Sequence, residues 1–309
     1  MKPVWTPDFE VDADLARRLI KRAVSNLTVD SLVLLGTGWD NSAFLVNGCL
    51  VFRFPRRTVA ADLLANEARF LPLLAPHFPL PIPSPLYVGE PTGEYPYPFA
   101  AYKQIPGTTA DRVDLTDEQR SELAVPLGRF LRALHHIPVT PEIIANAPGD
   151  EIGRTNLAKR LALMTERVTR NVGRLEAHQI DAHTILDCAV ILAATPPALN
   201  TPCWLHGDLY VRHLLLDEER VLCGVIDWGD VHLGDRALDL SIAYSFLPAE
   251  AREAFFSAYG DTDADSRNRA RFRALNYGVI LVDYGSEVGD SRLVEAGKYA
   301  LEHALVLDR

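Results

Sequence analysis

Two aspartates stand on either side of a short β-rich segment in the second half of the chain. Asp208 lies in the run HGDLYVRH at 206–213, and Asp227 lies in the run IDWGD at 226–230. Phosphoryl transfer needs one carboxylate to orient or deprotonate the attacking hydroxyl and a second to hold Mg²⁺ against the phosphates. The pair therefore predicts a phosphoryl-transfer site. The alternative is two solvated aspartates that flank a surface hairpin.

The segment between the two aspartates predicts how they are positioned. Residues 214–216 and 221–227 are β-rich, and the polar run 217–220 between them is typical of a turn. A hairpin folds the chain back on itself, so the residues before its first strand and at the end of its second strand can converge on one cleft. We expect Asp208 and Asp227 to do so.

These runs resemble the aminoglycoside phosphotransferase family, whose fold is related to that of protein kinases. The family's H-G-D-x-x-x-x-N loop matches 206–213, its I-D-W/F motif matches 226–228, and its G-D-x-x-x-D-L motif matches 234–240. The resemblance runs from about Leu34 to about Phe246. It implies that Asp208 is the catalytic base or orienting residue and that Asp227 binds the metal. By the same resemblance, Asp239 is a buried carboxylate that braces the catalytic loop through backbone hydrogen bonds.

The chain departs from the family at one metal ligand, because His213 stands where the family has asparagine. Mg²⁺ prefers oxygen ligands, whereas imidazole suits softer metals. One interpretation is that His213 only forms hydrogen bonds within the loop. The other is that it contacts the metal directly or through water, and we favour this one because macrolide phosphotransferases also carry histidine here.

The first hundred residues contain the expected nucleotide-binding groups. Gly36 and Gly38, in the run GTGWDN at 36–41, lie where kinases place a glycine-rich loop over the phosphates; the alternative is an ordinary hairpin turn. Arg53 occupies the strand position where kinases keep a phosphate-binding lysine, a replacement that also resembles macrolide phosphotransferases. Its neighbours Phe52 and Phe54 are predicted on the opposite face of the strand.

Three further positions follow from the resemblance. Glu67 lies on the first long predicted helix, and the resemblance implies that it is the carboxylate that pairs with the phosphate-binding cation. The alternative is a surface helix charge. The run YKQIPG at 102–107 resembles the family's hinge, where backbone groups near Lys103 and Ile105 receive the nucleotide base. Arg56 and Arg57, in contrast, are predicted to be solvated charges.

Several other polar residues are interpreted as structural. His135 and His136 follow an amphipathic run and are predicted to interact with the last carbonyls of its helix. The aspartates at 261, 263 and 265 indicate a solvated loop rather than an amine-binding site. The family builds its acceptor pocket from C-terminal helices, so three acidic residues there are candidate ammonium contacts: Glu253, Asp283 and Glu287.

The elements that must carry these residues change in character along the chain. β-rich runs dominate up to Gln104, with a hairpin signal at Asn47-Gly48 and a helix from Thr58 that either stops at Pro72 or continues to Leu74. Helical periodicity dominates beyond Pro106-Gly107, with a capping box at Thr116 and Gln119. We therefore predict an α+β, protein-kinase-like bilobal fold, with a nucleotide-binding lobe at 1–105 and a catalytic and substrate-binding lobe at 106–309.

Composition narrows the function further. The 309-residue chain has a formal net charge of −10, which argues against nucleic acid or a membrane as partner and is compatible with a cationic small-molecule substrate. The four cysteines form no C-x-x-C pair and fit a reducing compartment. The N-terminal residues contain no apolar signal-peptide core. A soluble, cytoplasmic protein is predicted.

Together these features predict a kinase that uses ATP or GTP with Mg²⁺ to phosphorylate a small-molecule hydroxyl. By resemblance the acceptor is an aminoglycoside-type antibiotic; a macrolide, suggested by Arg53 and His213, and a small metabolic alcohol or amino alcohol are the alternatives. A different class, a nucleotide-binding regulator with little catalysis, is suggested by the replaced lysine and asparagine. A nucleotide-hydrolysis assay separates the two classes, since only the enzyme sustains turnover.

Overall fold

The computed structural model describes residues 7–38, 40–199 and 202–307. Its chain divides into two compact units. The first unit comprises Met1–Pro76, Pro81–Pro106 and Val225–Val231, and the second comprises His77–Leu80, Gly107–Gly224 and His232–Arg309. The segment that carries Asp227 therefore belongs to the first unit, although it lies far along the chain. The nucleotide-binding and catalytic roles predicted for 1–105 and 106–309 stay predictions.

The first unit is built on an antiparallel sheet of five strands in the order β1-β2-β3-β5-β4. Its elements are α1 (Ala13–Ala23), β1 (Leu32–Thr37), β2 (Asn41–Val46), β3 (Leu50–Pro55), α2 (Thr58–Leu74), β4 (Pro85–Gly89) and β5 (Phe99–Lys103).

Local signals account for much of this unit. Asp12 caps α1 by accepting a hydrogen bond from the backbone N–H of Leu15 at 2.8 Å. Asn47 and Gly48 have φ values of 51° and 66°, the left-handed pair that a tight hairpin between β2 and β3 requires. Pro72 lies inside α2, which continues to Leu74. The second of the two predicted ends for this helix is therefore correct.

The apolar core of the first unit lies on one face of the sheet. Phe52 and Phe54 on β3 are fully buried, and Phe54 stacks on Phe99 with ring centroids 4.7 Å apart. Tyr95 is buried beside them and donates a hydrogen bond to the carbonyl of Pro55 at 2.5 Å. Side chains alternate along a strand, so this packing points Arg53 to the other face, as predicted.

The second unit is mainly helical. Its elements are β6 (Thr108–Thr109), α3 (Asp117–Glu122), α4 (Ala124–His135), α5 (Pro141–Asn146), α6 (Leu157–Arg170), α7 (Val172–Ala177), α8 (Ala182–Ala193), β7 (Cys203–Leu205), β8 (Leu214–Leu216), β9 (Leu222–Val225), β10 (His232–Gly234), α9 (Ala237–Leu240), α10 (Ile242–Ser245), α11 (Arg252–Tyr259), α12 (Ala264–Val288) and α13 (Ser291–Leu305). β10 pairs with β7, and β8 lies between β6 and β9. One unit is built on a β-sheet and the other is mainly helical, which confirms the predicted α+β class.

Both ends of helix α12 are defined by specific residues. Asp263 caps the start by accepting from the backbone N–H of Ser266 at 2.7 Å, and Gly289, with a φ of 72°, ends the helix. α12 packs closely on α13. A Cβ added at Gly297 would lie only 2.8 Å from the carbonyl oxygen of Gly278, so glycine is needed for the two helices to approach this closely. This close packing fixes the helix that carries Arg273 and Tyr277.

None of the helices in the described ranges combines the length and the apolar character that a bilayer-spanning helix requires.

Candidate active site

A charged cluster in the first unit centres on Arg53. The Nη1 atom donates to both oxygens of Glu67, at 2.9 and 3.0 Å, and Nη2 donates to Oδ1 of Asp227 at 2.8 Å. Burial disfavours the charged guanidinium, but the two carboxylates outweigh it and raise the pKa of Arg53. The structure thus brings together three of the predicted site residues from β3, α2 and the segment 225–231.

Glu67 is not a surface helix charge, because its side chain is only 2% exposed. Tyr102 on β5, which sequence analysis did not single out, donates its hydroxyl to Oε2 of Glu67 at 2.7 Å. Burial outweighs the opposing charge of Arg53 and raises the pKa of Glu67 above its ordinary value. The guanidinium and the phenol both donate to this carboxyl group and so fix its position beside Arg53.

Asp227 stands at a turn that reaches the left-handed region, with a φ of 65°. Its side chain is 49% exposed, in contrast to buried Glu67. A half-exposed carboxylate suits Mg²⁺, which binds through one or two carboxylates and completes its shell with water and substrate phosphates. Within the described residues there is no group of three or more His, Cys, Asp or Glu side chains that could hold a metal by itself.

The predicted glycine-rich loop joins β1 to β2, and its Trp39 lies outside the described residues. The carbonyl of Gly38 accepts a hydrogen bond from Nη1 of Arg56 at 2.8 Å, and Arg57 forms an ion pair with Asp40. The prediction that Arg56 and Arg57 are solvated is therefore wrong: their side chains are 13% and 14% exposed and hold the loop. At Gly36 there is room for a side chain, because an added Cβ would contact nothing within 4 Å. Packing within the protein therefore does not require glycine at this position.

The predicted hinge begins at the end of β5. Lys103 pairs with Leu50 across the sheet, and the backbone N–H of Gln104 donates to the carbonyl of Cys49 at 2.8 Å. Ile105 follows and is half-buried. The hinge residues thus continue directly from the sheet, and base recognition near Lys103 and Ile105 stays a prediction.

In the second unit, a buried carboxylate organises the loop that carries Asp208. Asp239 on α9 accepts from the backbone N–H of His206 at 2.7 Å and of Gly207 at 3.0 Å. Gly207 has a φ of 87°, which side-chain-bearing residues rarely adopt. Burial by itself would raise the pKa of Asp239, but hydrogen bonds and charge from His135 and neighbouring groups outweigh it and lower that pKa. The bracing contact that the resemblance implied is thus present.

His135 belongs to this same network: it ends α4 as predicted, but the predicted contact with the last carbonyls of that helix is wrong. Its Nε2 lies 3.2 Å from Oδ2 of Asp239, and its Nδ1 lies 2.9 Å from the hydroxyl of Tyr259. The adjacent His136 does contact a final carbonyl, that of Arg132, at 2.8 Å from its Nδ1. Two neighbouring histidines thus differ because one faces the core and the other faces outward.

Asp208 itself is held through its backbone and one side-chain oxygen. Its N–H donates to Nδ1 of His206 at 3.3 Å, and its carbonyl contacts Nδ1 of His213 at 2.8 Å. The hydroxyl of Tyr277 donates to Oδ1 at 3.1 Å, and Nη2 of Arg273 lies 3.6 Å from the same atom. Neither α12 residue was singled out from the sequence, because no local pattern indicates which face of a buried helix meets a distant loop.

His213 shows the loop contact of the simpler interpretation. Its ring is buried and its Nδ1 is engaged with the carbonyl of Asp208. Metal contact by His213 stays a prediction. Asp208 and His213 lie in the second unit and Asp227 in the first, so the predicted convergence of the two aspartates on one cleft also stays a prediction.

Among the candidate ammonium contacts, Asp283 is already engaged. It is buried and forms ion pairs with Arg167 at 2.6 Å and Arg174 at 2.5 Å. This pairing argues against Asp283 as an ammonium ligand. Glu253 and Glu287 are exposed and remain candidates.

Comparison with known proteins agrees with this geometry. The model of the phosphotransferase enzyme family matches residues 31–275. An aminoglycoside 3′-phosphotransferase from Escherichia coli is 28% identical over 183 residues, which cover 55% of this chain and 61% of that protein. The chain thus matches somewhat less than two thirds of the length of this curated relative.

Solved structures extend the likeness over nearly the whole chain. The GDP and kanamycin complex of APH(2″)-IIIa is 26% identical with a TM-score of 0.69, covering 94% of this chain and 97% of that one. The macrolide 2′-phosphotransferase MphH from Brachybacterium faecium, 22% identical with a TM-score of 0.61, covers 93% and 97% and shares the fold. These matches confirm the predicted kinase-like fold.

Proposed function

Because the chain belongs to the phosphotransferase enzyme family, we propose that it is a small-molecule kinase that transfers the terminal phosphoryl group of ATP or GTP to an acceptor hydroxyl. The observation that carries the proposal is the catalytic loop: Asp208 stands, partly exposed, on a turn whose backbone is fixed by buried Asp239. A fixed loop with a presented carboxylate suits a reaction in which the protein mainly positions groups.

In this proposal, the residues of the first unit bind the nucleotide and its metal ion. Arg53, held by Glu67, would face the phosphates, and Asp227 would bind Mg²⁺ together with phosphate oxygens and water. When bound, Mg²⁺ would neutralise charge on the phosphates. Gly36 and Gly38 would bring backbone N–H groups close to phosphate oxygens, and the backbone near Lys103 and Ile105 would receive the base. Similar structures solved with GDP and kanamycin and with ADP support nucleotide use.

An aminoglycoside-type antibiotic is the proposed acceptor. The relatives described above at 28% and 26% identity are aminoglycoside phosphotransferases, and one of them is solved with kanamycin. The cytoplasm, where nucleoside triphosphates are available and thiols stay reduced, is the proposed location, in keeping with the four free cysteines.

A macrolide is the second candidate, and the charges near Asp208 favour it. Arg273 places a guanidinium 3.6 Å from the Asp208 carboxylate, which makes the surroundings of Asp208 less attractive to a polycation, since like charges in a partly buried site repel. Elsewhere on α12, Asp283 is already paired with two arginines. An acceptor with fewer ammonium groups avoids that cost.

A transfer assay tests the proposal. Purified protein is incubated with Mg²⁺ and ATP or GTP against a panel of aminoglycosides, macrolides and small alcohols, and phosphorylated product is detected by mass spectrometry. We expect transfer to one acceptor class and a large fall in its rate in Asp208→Asn. Tight nucleotide binding without turnover in any condition would instead support a regulator.

A further inference from the structure

In the side chain of Asp208, the contacts from Tyr277 and Arg273 are both made to the same oxygen, Oδ1. The Tyr277 hydroxyl donates to Oδ1 at 3.1 Å, and Nη2 of Arg273 lies 3.6 Å from the same oxygen. Among the described residues, none forms a hydrogen bond with Oδ2, and the side chain is 26% exposed. The two oxygens of this carboxylate therefore have different surroundings.

Tyr277 is fixed by its neighbours rather than free to rotate. Its ring meets Tyr210 edge to face, with centroids 5.3 Å apart, and the guanidinium carbon of Arg273 lies 4.5 Å from its centroid. Arg273 and Tyr277 are four residues apart on α12, which places them on one face of the helix. Tyr210 belongs to the catalytic loop, so the aromatic contact ties that loop to α12.

The protonation state of Tyr277 agrees with a donor role. Burial and the neighbouring Asp208 carboxylate raise the pKa of Tyr277 well above its ordinary value. The phenol therefore keeps its proton at neutral pH and has one hydrogen to donate, and Asp208 is the partner found for it.

We propose that Tyr277 is a positioning residue for phosphoryl transfer: with Arg273 it holds Oδ1 of Asp208, so that Oδ2 is the oxygen presented to the acceptor hydroxyl. This inference rests on the proposed function. In the reaction, the acceptor oxygen uses a lone pair to bond to the γ-phosphorus. The bond from that phosphorus to the β,γ-bridging oxygen breaks, and its electron pair leaves with the nucleoside diphosphate. The hydroxyl proton passes to Oδ2.

The competing explanation is that Tyr277 only packs α12 against the loop. Tyr277→Phe separates the two, because it removes the hydroxyl and keeps the ring against Tyr210 and Arg273. We expect kcat to fall roughly tenfold or more, as for loss of a hydrogen bond to a charged group, with the KM for nucleotide unchanged. Tyr284→Phe, the same change seven residues further along α12, is the matched control and should leave kcat unchanged.

A double-mutant cycle then asks whether Tyr277 acts through Asp208. Tyr277→Phe is measured in the parental protein and in Asp208→Asn, using the residual transfer rate. Positioning predicts that the loss seen in the parental protein largely disappears in Asp208→Asn. An equal loss in both backgrounds, or parental kcat in Tyr277→Phe, would overturn the proposal.

A third measurement does not depend on activity. In protein labelled with ¹³C at tyrosine Cζ, Tyr277→Phe assigns the Tyr277 resonance and Tyr284→Phe assigns the control. Asp208→Asn should move the Tyr277 resonance and leave that of Tyr284 in place. If no acceptor is ever phosphorylated, the proposed function fails while this contact can still be demonstrated; an unmoved Tyr277 resonance overturns the contact itself.

Discussion

The two units hold their functional charges by different means. In the first unit, the Arg53 side chain is held by two other side chains, the carboxylates of Glu67 and Asp227. In the second unit, the carboxylate of Asp239 is held by backbone N–H groups of the loop that carries Asp208. The partners of Arg53 are thus charged side chains, whereas those of Asp239 are peptide N–H groups together with the His135 ring.

This difference explains which departures from the family pattern the molecule accommodates. A side-chain cluster can exchange one cation for another if the new cation reaches its partners, and Arg53 does so with a planar fork that contacts two carboxylates. A loop fixed through backbone N–H groups depends on its conformation, including the left-handed Gly207, so its acceptor cannot be exchanged as freely. Four substitutions test this contrast, and their expected effects decrease in the order Asp208→Asn, Asp239→Asn, Glu67→Gln and Arg57→Gln.

Asp208→Asn should have the largest effect on activity. The amide cannot accept the hydroxyl proton as a carboxylate does, so we expect kcat to fall about 10³-fold. Nucleotide affinity should stay within about twofold, because in this proposal the nucleotide contacts belong to the first unit. Steady-state transfer rates and a nucleotide titration measure the two effects. Parental turnover in this variant would remove Asp208 from the mechanism.

Asp239→Asn should mainly destabilise the protein. It replaces a buried anion that accepts two backbone N–H groups by an amide that opposes one of them with its own donor, at a cost of about 3 kcal/mol in the free energy of unfolding. Urea unfolding at neutral pH measures this, with Asp208→Asn as the control that leaves the brace intact. An unchanged unfolding midpoint would show that the loop does not depend on Asp239.

The same substitution should alter the pH dependence of stability. The pKa of Asp239 in the folded protein lies below the ordinary value of 3.8, so its contribution is fully present above that value and is lost as the pH falls through the folded pKa. Below about pH 4 the parental protein should therefore lose stability more steeply than Asp239→Asn. Parallel stability curves in this range would contradict an anionic brace.

Glu67→Gln should weaken nucleotide binding in the first unit. It leaves Arg53 with Asp227 as its remaining carboxylate partner, so the guanidinium is less well positioned, and we expect the KM for nucleotide to rise about tenfold. Asp62→Asn, at an exposed carboxylate on the same helix, is the matched control. If both variants behave alike, the cluster around Arg53 does not position the phosphates.

Arg57→Gln should have the smallest effect. Its ion pair with Asp40 is partly exposed on the Asp40 side, and such pairs contribute about 0.2–1 kcal/mol, so the KM for nucleotide should rise by about two- to threefold. Measuring this at low and high salt adds a check, since screening should shrink the difference. A larger effect than that of Glu67→Gln would mean that the loop between β1 and β2 matters more than Arg53.

Features determined by neighbours in the sequence were predicted well. The hairpin at Asn47-Gly48 and the capping box at Thr116 and Gln119 are both present. Each depends on backbone groups within four residues, so local sequence specifies it. The predicted pairing of Arg53 with Glu67 is also present, and it came from the family resemblance rather than from local pattern.

Interpretations that depended on distant packing were the ones that failed. His135 does end α4, but its ring contacts Asp239, more than a hundred residues away, instead of the last carbonyls of the helix. Arg56 and Arg57 were placed in solvent but hold the loop between β1 and β2. From its residue type alone, a charged side chain is predicted to be exposed. Its partner can be identified only once the pairing of the strands is known.

The motifs around Asp208 and Asp227, and the local signals that begin and end helices and hairpins, can be recognised from the amino-acid sequence alone. The folded structure was needed to show that Tyr277 of α12 contacts Asp208, that Tyr102 supports Glu67 and that His135 contacts Asp239. The reason is that backbone preferences act over a few residues, whereas these contacts follow from the burial of apolar faces by the folded chain as a whole.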